Sequence, residues 1–181
     1  TIKMVDENIL LTNDTNDDFK EVNLKSVIID EEIYYQISNN DAMRPFFISI
    51  VSDSNHWMFI SSNGGLSAGR KNSEYALFPY YTDDKITESA DITGNKSIFK
   101  VYKNNQEFMW EPLAVRSLGS YTTTQNLYKN RYGNKIIFEE INHDLELTFR
   151  YQWSSSNTFG FVKKSKLINT NIKRFADGEI Y

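Results

Sequence analysis

The chain has 181 residues, 40% of them hydrophobic and 24% charged, which suits one globular domain with a sizeable core. A net charge of −4 argues against a nucleic-acid partner held by phosphate neutralisation, and no apolar run approaches the roughly 20 residues of a membrane span. Cysteine is absent, which excludes thiol chemistry, disulfides and thiolate metal sites; only His56 and His143 are present, which argues against a multi-histidine metal centre, and no metal or cofactor is expected.

The first segment, "TNDTNDDF" at 12–19, reads as a polar loop. Four strands follow at "SVIID", "IYYQIS", "PFFISIV" and "HWMFISS", all rich in β-branched and aromatic residues. "NGG" at 63–65 lies between "HWMFISS" and "LSAGR", and Asn63 and Gly64 suit the positive φ of a tight turn. The alternative is a backbone left bare for the approach of a ligand or a neighbouring domain. The stretch lacks the Gly spacing of a dinucleotide fingerprint and the Gly-Lys-Ser/Thr of a P-loop.

"NSEYALF" at 72–78 allows a single helical turn capped by Asn72 or Ser73. "ALFPYYTDDKI" then gives an aromatic corner at Pro79, Tyr80 and Tyr81, followed by Asp83 and Asp84. Adjacent acids of this kind mark a solvated loop, an oxygen-ligated Ca²⁺ site or acceptors for sugar hydroxyls. "SIFKVY" and "EFMWEPL" form a hairpin whose "KNNQ" link places Asn104 and Asn105 at the turn. "YTTTQN" at 121–126 reads as a second polar loop. "NKIIFEEI" pairs through "NHDL" with "LELTFRYQW", whose Leu145, Leu147, Phe149, Tyr151 and Trp153 share one face. "FGFVKKSKLI" continues the meander. The pattern predicts one all-β domain, an antiparallel two-sheet β-sandwich of roughly ten or more strands, with Leu147 and Phe149 buried.

Trp57 and Trp110 lie on predicted strands and serve either the core or a flat platform for a pyranose ring. Arg70 and Arg116 carry forks suited to a carboxylate, a phosphate or vicinal hydroxyls, or to a structural ion pair. Neither histidine has an acid–nucleophile setting. Glu107, Glu111, Glu139, Glu140 and Glu146 fall on or beside strands, but no pattern singles out the pair a glycoside hydrolase needs.

At "MFISSNGGLSAGR", "ALFPYYTDDKI" and "FGFVKKSKLIN" the chain resembles the N-terminal β-supersandwich (galactose mutarotase-like) domain of bacterial two-domain enzymes of the cellobiose phosphorylase type, an architecture shared with maltose phosphorylases and glucoamylases. The resemblance covers about residues 40–170 and includes the Leu-x-Asn ending at Leu167–Asn169. It implies residues 1–181 to be one domain of a larger enzyme whose catalytic acid lies on a following (α/α)₆ barrel. The expected role is therefore non-catalytic: to shape a carbohydrate site and dock the barrel. Tyr80 and Tyr81 occupy the region where that family carries a tryptophan-containing segment.

The expected sugar-contacting residues are Arg70, Tyr80, Tyr81, Asp83, Asp84, Trp57, Trp110 and Arg116, with carbohydrate and the barrel as partners. Residues 63–70 and 79–85 are expected at one end of the sandwich. The rival readings are a free-standing carbohydrate-binding module and a self-sufficient β-sandwich glycanase. Opening at Thr1 without a Met or a secretory signal, the chain reads as a processed product or excised fragment, with a cytoplasmic setting expected.

Overall fold

A computed structural model describes residues 20–78, 82–94, 96–171 and 177–180. In chain order the strands are β1 (Asn23–Ile29), β2 (Glu32–Ser38), β3 (Phe47–Ile50), β4 (His56–Ser61), β5 (Leu66–Arg70), β6 (Phe99–Lys103), β7 (Gln106–Trp110), β8 (Thr123–Asn130), β9 (Lys135–Asn142), β10 (Leu147–Ser156), β11 (Gly160–Asn169) and β12 (Asp177–Ile180). The helix α1 (Asp83–Glu88) and three short 3₁₀ turns complete the described elements. Among the described residues no helix is long and apolar enough to cross a membrane.

The fold is all-β and antiparallel throughout. One layer is a six-stranded sheet in the order β1-β2-β8-β9-β10-β11. The other consists of two three-stranded sheets, β12-β6-β7 and β3-β4-β5. The core joins all three: Ile48, Met58, Leu66, Phe99, Trp110, Phe138 and Phe149 belong to one buried cluster. The expected opposing layer is thus divided into two sheets, each covering part of the larger one.

Local chemistry accounts for most elements. Asn104 and Asn105 have φ of 54° and 61°, so the β6–β7 hairpin closes through two left-handed Asn residues. Asn72 caps the 3₁₀ turn Ser73–Tyr75 by accepting the Glu74 N–H at 3.1 Å. Between β4 and β5 only Gly64 takes positive φ, at 95°; Asn63 does not. Asn63 instead accepts the Ser61 hydroxyl and donates to the Thr87 carbonyl at 2.9 Å. At Gly65 a Cβ would lie 2.0 Å from the Ile86 carbonyl oxygen, so the second Gly admits α1 against the turn.

Two sequence expectations change. The acids of "TDDKI" open a helix rather than a loop. The "polar loop" at 121–126 includes the first half of β8, a strand in the interior of its sheet. Its amides are hydrogen-bonded to β9 acids, Gln125 to Glu140 at 2.9 Å and Asn126 to Glu139 at 2.8 Å. Satisfied in this way, polar side chains occupy positions that an apolar pattern would otherwise mark.

Period two sorts β10 as the sequence predicts. Leu147, Phe149, Tyr151 and Trp153 are buried, while Arg150 and Gln152 take the opposite face. The Phe149 ring meets Phe99 edge-on at 5.1 Å, and Tyr151 stacks on Phe138 at 4.9 Å. Phe149 is only 3% exposed, so Phe149→Ala is expected to cost about 3–5 kcal/mol in a urea unfolding titration. A loss below about 1 kcal/mol would mean that the site collapses around the missing ring.

Candidate functional site

Three chain reversals meet at one end of the sandwich: the β3–β4 loop, the β8–β9 turn and the β10–β11 turn. Val51 N–H donates to the Gly133 carbonyl at 2.9 Å, which ties the first to the second. The Ser52 and Ser155 hydroxyls meet at 3.1 Å and tie the first to β10. Between them opens a cavity of about 400 Å³ lined by Val51, Ser52, Asp53, Tyr132, Asn134, Ser155 and Asn157.

The lining combines a ring with hydrogen-bonding groups. Tyr132 is 73% exposed and presents its ring to solvent. Asn134 accepts Asn130 Nδ2 through its own Oδ1 at 2.6 Å, which leaves its amide N–H groups to other acceptors. Asp53 is exposed and has no ion pair among the described residues. The wall behind is a hydroxyl–imidazole network. His56 Nδ1 lies 2.7 Å from Ser54 Oγ and 3.0 Å from Ser155 Oγ, and Ser52 Oγ lies 2.8 Å from Ser54 Oγ. The imidazole packs against the Phe161 ring at 5.1 Å.

Arg70 belongs to this end. It ends β5 opposite His56, and its Nη2 reaches within 3.0 Å of where a Cβ on Gly160 would stand. Trp57, half-buried on β4, lies across Gly69 and 5.7 Å from the Phe59 ring.

The other end of the sandwich holds the remaining candidates. Asp83 opens α1, whose Ile86 and Thr87 abut the Asn63–Gly65 turn, so it and Asp84 stand at the opposite end of β5 from Arg70. The expected grouping of 63–70 with 79–85 therefore holds between the Asn63–Gly65 turn and the helix that Asp83 opens, and fails for Arg70, which stands one strand length away. Asp84 is exposed and accepts the Thr82 hydroxyl, and that bond with the Lys85 backbone N–H holds its carboxyl below the usual range. Tyr80 and Tyr81 lie outside the described residues.

Trp110 is 1% exposed, packs 5.4 Å from Phe99 and donates Nε1–H to Glu140 at 2.8 Å. It offers no face to a ligand. Arg116, exposed, grips Glu111 at 3.0 and 2.6 Å through Nε and Nη2. A smaller pocket of about 150 Å³ opens at this end, lined by Asn40, Asp41, Met43, Leu113, Gln125 and Phe138 among others, and neither Trp110 nor Arg116 lines it.

The strand carboxylates are committed elsewhere. Lys100 pairs with Glu107 at 3.0 Å and Lys103 with Glu146 at 2.9 Å. Glu139 and Glu140, consecutive on β9, point to opposite faces of the sheet. Glu140 is inside, where burial pushes its carboxyl up against the opposing pull of Trp110, Leu113 N–H and Gln125. Glu139 is on the outer face. Burial there would raise its carboxyl, but Tyr128, Asn126 and Arg150 outweigh it and hold it below the ordinary value. Among the described residues no three His, Cys, Asp or Glu are placed to hold a metal ion.

No protein-family model matches the chain, and no curated protein matches it either.

The sequence reading missed Asp53, Tyr132, Asn134 and Asn157. "SDSN" at 52–55, "RYGN" at 131–134 and "SSSN" at 154–157 are legible as turns. Their convergence is not, since they lie on three separate connections.

Because the Glu139 carboxyl sits below its ordinary value in the fold, its stabilisation is intact above the usual carboxylate range and is lost as pH falls through the folded value. Glu139→Gln is expected to cost about 3 kcal/mol in urea unfolding at pH 7. The gap from wild type should shrink toward pH 3. A gap independent of pH would show that the charge of Glu139 contributes nothing.

Proposed function

We propose that the chain is a carbohydrate-binding β-sandwich domain that does not itself cleave glycosides, with its sugar site in the cavity between the β3–β4, β8–β9 and β10–β11 connections. The observation that carries this reading is the lining. A solvent-facing Tyr132 ring stands beside an exposed carboxylate at Asp53 and the amides of Asn134 and Asn157. A pyranose has an apolar C–H face that packs on a ring, while its hydroxyls donate to carboxylates and accept from amides. Arg70, at the same end, adds a fork for hydroxyls or a sugar carboxylate.

The non-catalytic part of the reading draws on the acids. Hydrolysis requires two carboxyl groups across one cleft. Glu139 and Glu140 face opposite sides of their sheet, and Glu107, Glu111 and Glu146 are tied to Lys100, Arg116 and Lys103. The resemblance to phosphorylase-type enzymes extends the proposal: as part of such a chain, the domain would shape the substrate cleft beside an (α/α)₆ barrel.

Titration with glucose, galactose, cellobiose and maltose, followed by amide NMR, tests the site. At least one sugar should shift resonances in 51–55, 131–134 and 155–157. Tyr132→Ala and Asp53→Asn should each weaken that binding tenfold or more, about 1.4 kcal/mol, with thermal unfolding unchanged because both side chains are exposed. No shift with any sugar would overturn the binding reading. Reducing sugar released by the pure chain, and abolished by one Glu→Gln change, would overturn the non-catalytic one.

A further inference from the structure

The two layers of the sandwich differ in width. In the divided layer β4 lies over β10, with His56 Nδ1 3.0 Å from Ser155 Oγ, and β5 lies over the start of β11, with Arg70 against Gly160. That places β3, the outer strand of its sheet, on the side of β8, where Val51 N–H meets the Gly133 carbonyl of the β8–β9 turn at 2.9 Å. The six-stranded sheet continues past β3 through β2 and β1. Ile33 and Tyr35 share the face of β2 whose Ile37 packs on the core, and Leu24 and Ile28 stand opposite Ile37 and Ile33 on the same face of β1. Leu24, Ile28, Ile33 and Tyr35 are nonetheless between 41% and 63% exposed, so the core-side face ends in an open apolar shelf.

The strand edge beside the shelf is open as well. Ser62 N–H donates to the Phe46 carbonyl, and ladder bonds alternate along an antiparallel pair. Ile48 and Ile50 therefore bond β4, while Phe47 and Ser49 turn their N–H and C=O groups outward. Among the described residues neither makes a hydrogen bond on that side. An unpaired edge next to an apolar face is a template for one more strand.

Size and charge define the occupant. Four side chains fall far short of the about 20–30 residues a side of a stable subunit interface, which favours a single strand over a second copy of the chain. Lys129 faces Tyr35 across the β2–β8 ladder, is half-buried and has no ion pair among the described residues. Its complement is an acid.

We infer that the shelf receives an extended strand of a partner protein, hydrogen-bonded antiparallel to the open edge of β3, with alternate apolar side chains on Leu24, Ile28, Ile33 and Tyr35 and an acidic side chain facing Lys129. Packed sheets lie about 10 Å apart, so a strand continuing the β3 layer sets every second side chain onto the shelf. The Lys129 stem stands with Val51 beside Gly133, at the far end of β3, which puts the acid near the start of an antiparallel partner. The inference does not draw on the sugar reading of the neighbouring cavity.

The probe is a blocked seven-residue peptide of alternating threonine and valine with glutamate in place of the first valine. It is titrated into the full chain and followed by amide NMR and hydrogen exchange. Saturable binding that shifts 24–28, 33–35 and 47–49 and slows exchange of the Phe47 and Ser49 amides is the expected result. N-methylating alternate peptide amides on the β3 side should weaken binding at least tenfold. Replacing the peptide glutamate by lysine should weaken it about threefold or more, and Lys129→Glu should restore it. Ser49→Pro should abolish binding while keeping the β3–β4 ladder, because the N–H it removes points outward. If that variant does not fold, the N-methylated peptide decides alone. Binding indifferent to N-methylation would reduce the surface to apolar adhesion and overturn the inference, and so would no binding at all. Self-association of the chain in sedimentation, abolished by Ile28→Lys, would give the shelf to a second copy and overturn it too.

Discussion

The architecture depends on two consecutive glutamates buried on opposite faces of one strand. Glu139 and Glu140 sit near the middle of β9, each almost wholly removed from water. A buried carboxylate is tolerated only where donors converge on it, and each recruits its own set. Glu140 gathers β7, β8 and the segment after β7 on the inner side. Glu139 gathers β8 and β10 on the outer side, with the Arg150 guanidinium lying 5.6 Å from the Tyr128 ring. One strand thereby couples the sandwich core to the far face of its own sheet.

That coupling separates two chemistries at the ends of the molecule. Inside, Glu140 is sequestered by neutral donors, and one of them, Gln125, also lines the small pocket beside Asn40 and Asp41. At the other end, the core hydrogen-bond network gives way to serine hydroxyls and a histidine bonded to one another, with Asp53, Tyr132, Asn134 and Asn157 exposed around the cavity. Sandwich folds place their turns at two opposite ends, so two recesses of unlike lining arise from one set of strands.

The double glycine shows how a local motif can satisfy packing rather than recognition. A bare backbone beside a strand end is equally suited to a ligand or to another segment of the same chain. Here α1 takes the space, with the Ile86 carbonyl against Gly65 and the Asn63 amide on Thr87. The acids following the aromatic corner start that helix, and its packing carries them away from Arg70. The double-glycine turn and the acids thus stay together, and it is Arg70 that the length of β5 separates from both.

Side-chain period was enough to define the strands of the meander, because alternation between water and core is a local property of β10. The hairpin turns were equally legible, since Asn104, Asn105 and Gly64 carry conformational preferences in their own backbones. β8 was not, because Gln125 and Asn126 look solvated until the acids of β9 stand opposite them. The candidate sites were less legible still. Asp53, Tyr132 and Asn157 lie on three separate connections that only the fold brings to one cavity. Local pattern therefore determined which residues form strands and turns. Tertiary structure alone decided which polar groups were paired and which were left facing a cavity, because hydrogen-bond satisfaction depends on partners distant in the chain.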